Sequence, residues 1–248
     1  MISQIKKILF EIVILFVDYA NKKKIINFFK KKINDNSIVI IDIGAHKGET
    51  INLFINNFNV KKIFSFEANP EIFKLIKKKF EHIKFKGKIF LHNIALGEKR
   101  DQKYFNVIKD SSSSTFNSIN MQSNYYKKKL NFLSIFSQNT DFIEKKILLN
   151  IKPLNEFTDI FNCKNIDILK IDTEGYELNI LKGISKNNFH KIKFIYLEHH
   201  YDLMVKKDYK YSDLKNYLNK NNFYLKYKIK MSFRKTFEYI FENEKSIS

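Results

Sequence analysis

Glycines at the ends of predicted strands are the clearest sign of chemistry in this sequence. Four of the six glycines lie at or just beyond such ends: Gly44, Gly48, Gly97 and Gly175. Glycine at such a position lets the backbone turn tightly or lets a ligand approach it closely. A nicotinamide-binding G-x-G-x-x-G loop starting at Gly44 would need glycines in place of His46 and Glu49. No Walker A sequence is present, so neither of these two nucleotide-binding loops fits.

The same segment reads D-x-G-x-x-x-G, the first motif of folds that bind S-adenosylmethionine. Gly44 and Ala45 would let the backbone pass under the amino-acid part of that cofactor. The N–H groups of the helix start near Gly48 could meet its carboxylate. Asp42 would hold the loop or, through water, the ammonium group of the cofactor.

Two further strand ends carry polar side chains that suit a nucleoside. Glu67 ends the second predicted strand, 23 residues after Gly44, where an acid can accept both hydroxyls of a ribose. The alternative is a carboxylate that only stabilises the following helix start. Asn93 follows the third strand and could contact the edge of an adenine, and Ala95 would leave room for that base. His92, inside the strand, is interpreted as a core histidine.

Acidic residues and histidines follow two later strands. Asp172 and Glu174 come directly after Ile166–Ile171. Two acids at a strand end are costly to bury without a partner, and Lys170 could form a structural ion pair with them. Glu198 and two adjacent histidines, His199 and His200, end the next strand. Adjacent side chains on an extended strand point to opposite faces, so at most one imidazole can serve a shared site.

Short apolar runs alternate with amphipathic stretches beyond residue 36, which predicts a doubly wound parallel sheet. The predicted strands are 37–43, 62–66, 88–93, 166–171, 193–197 and 224–229. The predicted helices are 48–57, 70–80, 176–181 and 212–220. Residues 110–146 interrupt the alternation and are predicted to be an insertion, part loop and part short helix, near the substrate site. The predicted layout is a helical extension over 1–36 and one domain over 37–248.

The composition excludes several classes of protein. The formal net charge is +19, but only Arg100 and Arg234 are arginines, and specific readers of nucleic acid favour the arginine fork. A single cysteine excludes an internal disulfide framework. No apolar run reaches 18 residues, so no transmembrane helix is predicted. The apolar stretch 8–17 predicts a helix packed on the domain or, alternatively, a basic amphipathic helix on a membrane surface.

Taken together, the motifs resemble the FkbM family of S-adenosylmethionine-dependent methyltransferases. The resemblance rests on IIDIGAHKGET, FEANP, NIALG, LKIDTEGYELNILKG and YLEHH, and covers about residues 38–200. It implies a class I methyltransferase fold: a doubly wound, mostly parallel seven-stranded sheet with helices on both faces. It also implies methylation of a hydroxyl on a sugar or natural product, as in polysaccharide biosynthesis. Carried over by position, it implies a set of cofactor-binding residues: Asp42, Gly44, Ala45, Gly48, Glu67, Asn93 and Ala95.

The reaction centre implied by the resemblance contains Asp172, Glu174 and His199. Methyl transfer to oxygen is an in-line displacement, and a base within hydrogen-bond reach speeds it by about 10²–10⁴-fold. Either His199 or Asp172 is expected to be that base, with Glu174 or Glu198 orienting it. No metal ion is expected. A variant of the hypothesis places one between Asp172, Glu198 and His199, where it would lower the pKa of the hydroxyl.

Other functions stay open at this stage. The chain could be a binding module for the cofactor or a glycan that has lost turnover, or a lysine-rich adaptor for a membrane or RNA surface. An RNA or protein acceptor is disfavoured because arginines are few and no N-P-P-Y motif is present. We expect a small-molecule or glycan acceptor, no specific nucleic acid, and a cytoplasmic location with a possible peripheral membrane contact through the first helix. The sequence does not indicate an oligomeric state.

Overall fold

A computed structural model describes residues 2–33, 37–81, 87–108, 113–134, 143–232 and 234–245. Ten strands lie in these ranges: β1 Ile38–Ile43, β2 Val60–Phe66, β3 Ile89–His92, β4 Ala95–Leu96, β5 Asp101–Ile108, β6 Ile143–Lys152, β7 Ile166–Ile171, β8 Ile192–His200, β9 Phe223–Lys230 and β10 Thr236–Asn243. Eight α-helices lie there too: α1 Ile2–Lys32, α2 Glu49–Ile55, α3 Pro70–Phe80, α4 Asn124–Ser134, α5 Thr158–Phe161, α6 Glu177–Lys182, α7 Lys186–Phe189 and α8 Tyr211–Lys220.

Seven strands form one sheet in the order β3-β2-β1-β7-β8-β10-β9. β10 runs antiparallel to both of its neighbours, whereas the pairs that join β3, β2, β1, β7 and β8 are parallel. The predicted doubly wound, mostly parallel seven-stranded sheet is therefore confirmed. Six of its strands match predicted ones to within three residues at each end, and β10 is the strand that the sequence pattern did not reveal.

Helices cover both faces of this sheet because its central strands are apolar on both sides. On β1, Val39, Ile41 and Ile43 belong to one buried cluster, with residues of α6 and α8. Ile38 and Ile40 belong to the other, with residues of α1, α2 and α3. A strand that buries both faces needs the near-continuous apolar run that β1 shows.

A second sheet of three strands, in the order β4-β6-β5, was not predicted. β5 and β6 pair antiparallel from Asp101↔Ile151 to Ile108↔Ile143. They flank α4, which lies within the segment predicted to be an insertion. That segment is described over residues 113–134 and 143–146, and its last four residues belong to β6.

The first helix packs on the sheet with its second half. Ile25, Ile26 and Phe29 are buried in the same cluster as β1 and α2. Nearer its beginning, the Asp18 carboxylate pairs with Arg234 at 2.9 Å, beside the start of β10. Within the described residues, none of the helices is long and apolar enough to cross a bilayer.

Candidate active site

A cavity of about 370 Å³ opens at the carboxyl ends of β1, β2, β7 and β8. Two groups of lining residues define its ends. What we call the glycine end is lined by small residues and one acid: Gly44, Ala45, Glu67, Ala68 and Ala95. What we call the acidic end is lined by four carboxylates: Asp172, Glu174, Glu198 and Glu238. Ligands of open α/β sheets bind at this edge, where helices on opposite faces diverge.

The loop after β1 crosses directly over the end of β7. The N–H groups of Gly44 and Ala45 both donate to the carbonyl of Phe66, each at 3.0 Å. Gly44 has a φ of 82°, and a Cβ built there would lie 1.8 Å from the carbonyl oxygen of Asp172. No other residue type fits this position. Gly44 therefore brings the two ends of the cavity together, in addition to facing the cavity itself.

Glu67 is held by the backbone on both sides. Its Oε2 accepts the N–H of His46 and its Oε1 accepts the N–H of Asn69, each at 2.8 Å. Burial raises the pKa of Glu67, although these two hydrogen bonds act in the opposite direction. Each carboxylate oxygen can accept a further hydrogen bond. Glu67 can therefore receive two hydroxyls from a ligand in the cavity without losing its own support.

Asn69 explains why the chain forms this loop. Its side chain accepts the N–H of Glu71 and caps α3, while Pro70 occupies the first helical position. Proline is favoured there because its missing N–H has no intrahelical partner in any case. The FEANP segment thus ends β2, turns and starts α3 within four residues.

Three residues that the sequence predicts to bind the cofactor do not line the cavity: Asn93, Gly48 and Asp42. Asn93 donates its amide to the carbonyls of Glu67 and Ala68, at 2.8 and 3.3 Å. Gly48 has a φ of 77° and lies against the Phe80 ring, and its N–H donates to the carbonyl of Ala45. These contacts position the loops that line the cavity. Ala95, in contrast, lines the cavity as expected.

Asp42 is the third of these residues and is 0% exposed. Its Oδ1 lies 3.7 Å from Nζ of Lys170 on the neighbouring strand β7. Burial raises the pKa of Asp42 to about 6, although Lys170 lowers it. Among the described residues neither carboxylate oxygen has a hydrogen-bond partner. The side chain is paired with Lys170 and does not line the cavity.

Asp172 and Glu174 lie together at the acidic end. Nζ of Lys170 donates to Asp172 at 3.2 Å. Burial would raise the pKa of Asp172, but Lys170 and His200 lower it below its usual value. Glu174 has a φ of 52°, which non-glycine residues rarely adopt. The chain therefore holds an ionised carboxylate and a strained acid side by side at the mouth of the sheet.

Glu177, which sequence reasoning missed, organises this loop. It is 1% exposed, and its Oε1 accepts the N–H of Thr173 at 3.3 Å and that of Gly175 at 2.9 Å. The hydroxyl of Tyr209 donates to its other oxygen. An acid at the first position of α6 was visible in the sequence. The hydrogen bonds back into the loop were not.

The predicted insertion also reaches the site. The Thr115 hydroxyl donates to the carbonyl of Glu174 at 2.9 Å, and the Asn117 amide donates to that of Gly175 at 2.8 Å. Ser114 and Phe116 line the cavity. This segment therefore supports the acidic loop and forms part of the cavity wall.

The two adjacent histidines lie on opposite faces of β8, and the one facing the acids is His200. Its Nε2 lies 3.4 Å from Glu174 and 3.3 Å from Glu198. Its Nδ1 lies 3.0 Å from the Thr236 hydroxyl. Burial lowers the pKa of His200, but Glu174, Asp202 and Glu198 raise it more strongly, to about 10.

The position expected for His199 therefore needs correction. His199 is 3% exposed and its ring packs against Tyr201, Tyr209 and Tyr211 on the far face of the sheet. Burial lowers its pKa to about 3. The alternation of β8 was the signal that could have selected His200, because it shares a face with Glu198.

β10 places a further carboxylate opposite Glu198, and the sequence did not indicate it. Glu238 pairs in register with Glu198, and the Tyr196 hydroxyl donates to its Oε1 at 2.8 Å. Burial raises the pKa of both acids. Asp18, Lys22 and Arg234 close this part of the cavity from the side of α1.

The order of the seven strands, the glycine loop after β1 and the acid after β2 define a class I methyltransferase fold. The methyltransferase FkbM domain matches residues 42–225, more than half of the chain. The chain belongs to the FkbM methyltransferase family, whose cofactor is S-adenosylmethionine. A comparison with curated proteins finds no match.

Several solved methyltransferases are similar to this chain at low sequence identity. The FkbM methyltransferase of Methylobacillus flagellatus superposes with a TM-score of 0.51 and 16% identity, over 83% of this chain and 44% of that chain. This protein therefore spans less than half the length of that relative. M. capricolum TrmK, solved with S-adenosylhomocysteine, gives a TM-score of 0.45 and 18% identity over 89% and 68% of the two chains. Synechocystis magnesium protoporphyrin IX methyltransferase, solved with bound S-adenosylmethionine, gives a TM-score of 0.48 and 9% identity, over 92% of this chain and 79% of that chain.

The residues present fit this cofactor. Small residues line the glycine end, and Glu67 there keeps acceptor capacity for a ribose diol. The carboxylates of the acidic end would face a positively charged sulfonium favourably.

Proposed function

We propose that this protein transfers a methyl group from S-adenosylmethionine to a hydroxyl of a sugar or glycan precursor. The observation that carries the proposal is the carboxylate of Asp172, which lies 3.2 Å from Lys170 where the glycine end meets the acidic end. Four carboxylates line the acidic end. A hydroxyl-rich acceptor would supply the hydrogen-bond donors that such a surface lacks.

The glycine end would hold the cofactor. Gly44 and Ala45 lie where its amino-acid part would pass, Glu67 would accept the ribose hydroxyls, and Ala95 leaves space for the base. When bound, the cofactor supplies an activated methyl group on a sulfonium. The chain itself contributes a preformed pocket, because the supports of Glu67 are backbone N–H groups that need no rearrangement.

Asp172 would act on the acceptor. Its carboxylate would accept a hydrogen bond from the acceptor hydroxyl and take the proton as the new oxygen–carbon bond forms. Lys170 keeps Asp172 ionised and oriented. Glu174 would hold a neighbouring hydroxyl of the acceptor. Alignment of this kind lowers the activation free energy by up to roughly 7–11 kcal/mol. A general base raises the rate by a further factor of about 10²–10⁴.

The test is an acceptor screen with methyl-labelled cofactor against nucleotide sugars and lipid-linked glycans. We expect a methyl ether product from the wild-type chain, and a rate about 10²–10⁴-fold lower from Asp172→Asn with little change in affinity for S-adenosylhomocysteine. Asp159→Asn removes an exposed acid far from the cavity and serves as the matched control. Full activity of Asp172→Asn would remove the proposed base. Methylation of nitrogen or carbon would remove the reaction class.

The first helix supports a peripheral contact with an anionic membrane surface as a second part of the proposal. Phe16 and Tyr19 on α1 are 72% and 66% exposed, and Lys23 and Lys24 beside them are exposed too. Basic residues next to exposed aromatic ones favour such surfaces. Co-sedimentation with phosphatidylglycerol vesicles should fall in Lys23→Glu/Lys24→Glu. Equal sedimentation with neutral vesicles would contradict the contact.

A further inference from the structure

Three side chains at the acidic end place metal-binding atoms close together. One ligand atom from each of Asp172, Glu174 and His200 lies within 4.8 Å of the other two. Asp172 and Glu174 lie in the loop that follows β7, and His200 ends the neighbouring parallel strand β8. Glu198 adds a fourth donor, 3.3 Å from Nε2 of His200. Two carboxylates and one imidazole form a donor set that divalent cations accept.

His200 is oriented as metal-binding histidines usually are. Its Nδ1 faces the Thr236 hydroxyl at 3.0 Å and the Asp202 carboxylate at 3.6 Å. Asp202 is itself held by the N–H of Met204 at 3.0 Å. Such a carboxylate partner fixes the ring and directs its other nitrogen toward an ion. That nitrogen, Nε2, is buried and makes no hydrogen bond within the described part of the chain.

A second, independent observation comes from the opposite strand. Glu238 is 6% exposed and lines the same cavity as Glu198, which it faces in register. Its Oε2 has no hydrogen-bond partner among the described residues. Buried polar atoms are rarely left without a partner unless a ligand completes them. This oxygen of Glu238 lies at the acidic end, where Nε2 of His200 contacts Glu174 and Glu198 only as an ion pair.

The charges at this end favour a cation. Four carboxylates line the cavity there: Asp172, Glu174, Glu198 and Glu238. Of the cations beside them, Lys170 is shared between Asp42 and Asp172, Arg234 pairs with Asp18, and Lys22 lines the side of α1. Carboxylates this close together need positive charge or protons to remain buried. A hydroxyl-rich acceptor alone brings no charge.

We propose that the acidic end binds one divalent metal ion, Mn²⁺ or Mg²⁺, through Asp172, Glu174 and His200, with Glu198 beside it, and that the ion takes the place of the proton on Nε2 of His200, which is released to solvent. Oxygen donors suit both ions, and the imidazole favours Mn²⁺. This replaces the sequence expectation of no metal, and it replaces His199 by His200 in the donor set considered there. The role of the ion in the reaction rests on the proposed function: the ion would bind the acceptor hydroxyl and lower the pKa of that hydroxyl.

Binding is tested first on the purified chain without cofactor or acceptor. Titration with Mn²⁺, followed by electron paramagnetic resonance, should show one bound ion per chain. His200→Gln should weaken binding at least about tenfold, and Asp202→Asn, which acts through His200, about 10–100-fold. His199→Gln is the matched control on the opposite face and should bind as the wild type does. Equal affinity in His199→Gln and His200→Gln, or no Mn²⁺ bound by the wild type, overturns the site.

Thermal unfolding of the wild-type chain tests the site without any variant, so the result does not depend on whether a variant folds. Mn²⁺ should raise the midpoint of thermal unfolding in a concentration-dependent way, since an ion that binds only the folded state stabilises it. An unchanged midpoint at saturating Mn²⁺ contradicts the site.

The catalytic role is tested separately by activity. Removal of metal with EDTA should abolish methyl transfer, and added Mn²⁺ should restore it. Unchanged transfer in EDTA overturns the role of the metal and leaves the proposed methyl transfer standing. Mn²⁺ binding without transfer to any acceptor hydroxyl supports the metal site and removes the proposed reaction.

Discussion

At the glycine end of the cavity both oxygens of Glu67 accept backbone N–H groups, whereas at the acidic end Glu238 Oε2 and His200 Nε2 are buried with no hydrogen-bond partner in the described residues. The two ends lie at the same sheet edge, and each contains buried acid. They differ in what satisfies that acid. Local backbone supplies the partners at one end, and side chains of separate strands supply only some of them at the other.

The difference indicates that only the glycine end is preorganised for its ligand. The glycine end is complete without a ligand, so binding there costs little reorganisation. The acidic end has unmet hydrogen-bonding and charge requirements, which a cation and a hydroxyl-bearing acceptor would satisfy.

The largest effect should come from separating the two ends, in Gly44→Ala. The new Cβ would lie 1.8 Å from the Asp172 carbonyl at a φ of 82°. We expect a loss of about 2–6 kcal/mol in the free energy of unfolding, measured in urea. Gly87→Ala is the control, because Gly87 has a φ of 76° and nothing within 4 Å. It should cost only the backbone strain of about 1–2 kcal/mol. Equal losses in both variants would show that the contact between the ends is unimportant.

At the glycine end, Glu67→Gln should weaken cofactor binding. The amide cannot accept hydrogen bonds from the N–H groups of both His46 and Asn69, and it loses the charge that favours ribose hydroxyls. Hydrogen bonds to a charged group contribute about 1.5–3 kcal/mol, so the Kd for S-adenosylhomocysteine should rise about 10–100-fold in calorimetry. Glu71→Gln, an exposed acid four residues further on, should bind normally. An unaltered Kd in Glu67→Gln would contradict the ribose assignment.

Asp42, which lies between the two ends, should make stability depend on pH. Its pKa of about 6 in the folded chain exceeds its ordinary value of 3.8, so the folded state keeps a proton that the unfolded chain releases. Its contribution is present at low pH and is lost as the pH rises through 6. The Asp42→Asn variant has no carboxyl group at this position, so its free energy of unfolding does not fall in this way as the pH rises. Relative to the wild type, its free energy of unfolding should therefore increase by about 2 kcal/mol between pH 4 and 7. A constant difference across that range in urea titrations would contradict the assignment.

The smallest effect is expected on the far face of β8. His199→Phe keeps an aromatic ring among Tyr201, Tyr209 and Tyr211, and should change the rate of methyl transfer less than about threefold. Loss of a base would cost about 10²–10⁴-fold. A fall of that larger size in correctly folded His199→Phe, checked by circular dichroism, would return His199 to the reaction centre.

The sequence predicted the glycine end better than the acidic end for a physical reason. Gly44, Glu67 and Ala95 follow strands in short segments, and local spacing placed them at the same edge of a parallel sheet. Their positions along the cavity need no knowledge of distant residues. Asn93 and Gly48 lie next to this end, but only the structure shows that they support loops instead of lining the cavity.

The acidic end depends on contacts between residues far apart in the chain. Glu238 lies on β10, whose pairing with β8 brings it opposite Glu198. Thr115 and Asn117 reach the acidic loop from a segment whose sequence shows no periodic pattern. The choice between His199 and His200 required the orientation of one strand within the sheet.

By itself the sequence determined the fold class, the family and the residues after β1 and β2, because apolar periodicity and glycine position act over short stretches of chain. The tertiary structure decided which histidine joins the acids, which carboxylates face each other and which buried atoms lack partners. These features depend on strand pairing and side-chain direction across the sheet, and no local pattern in the chain encodes either.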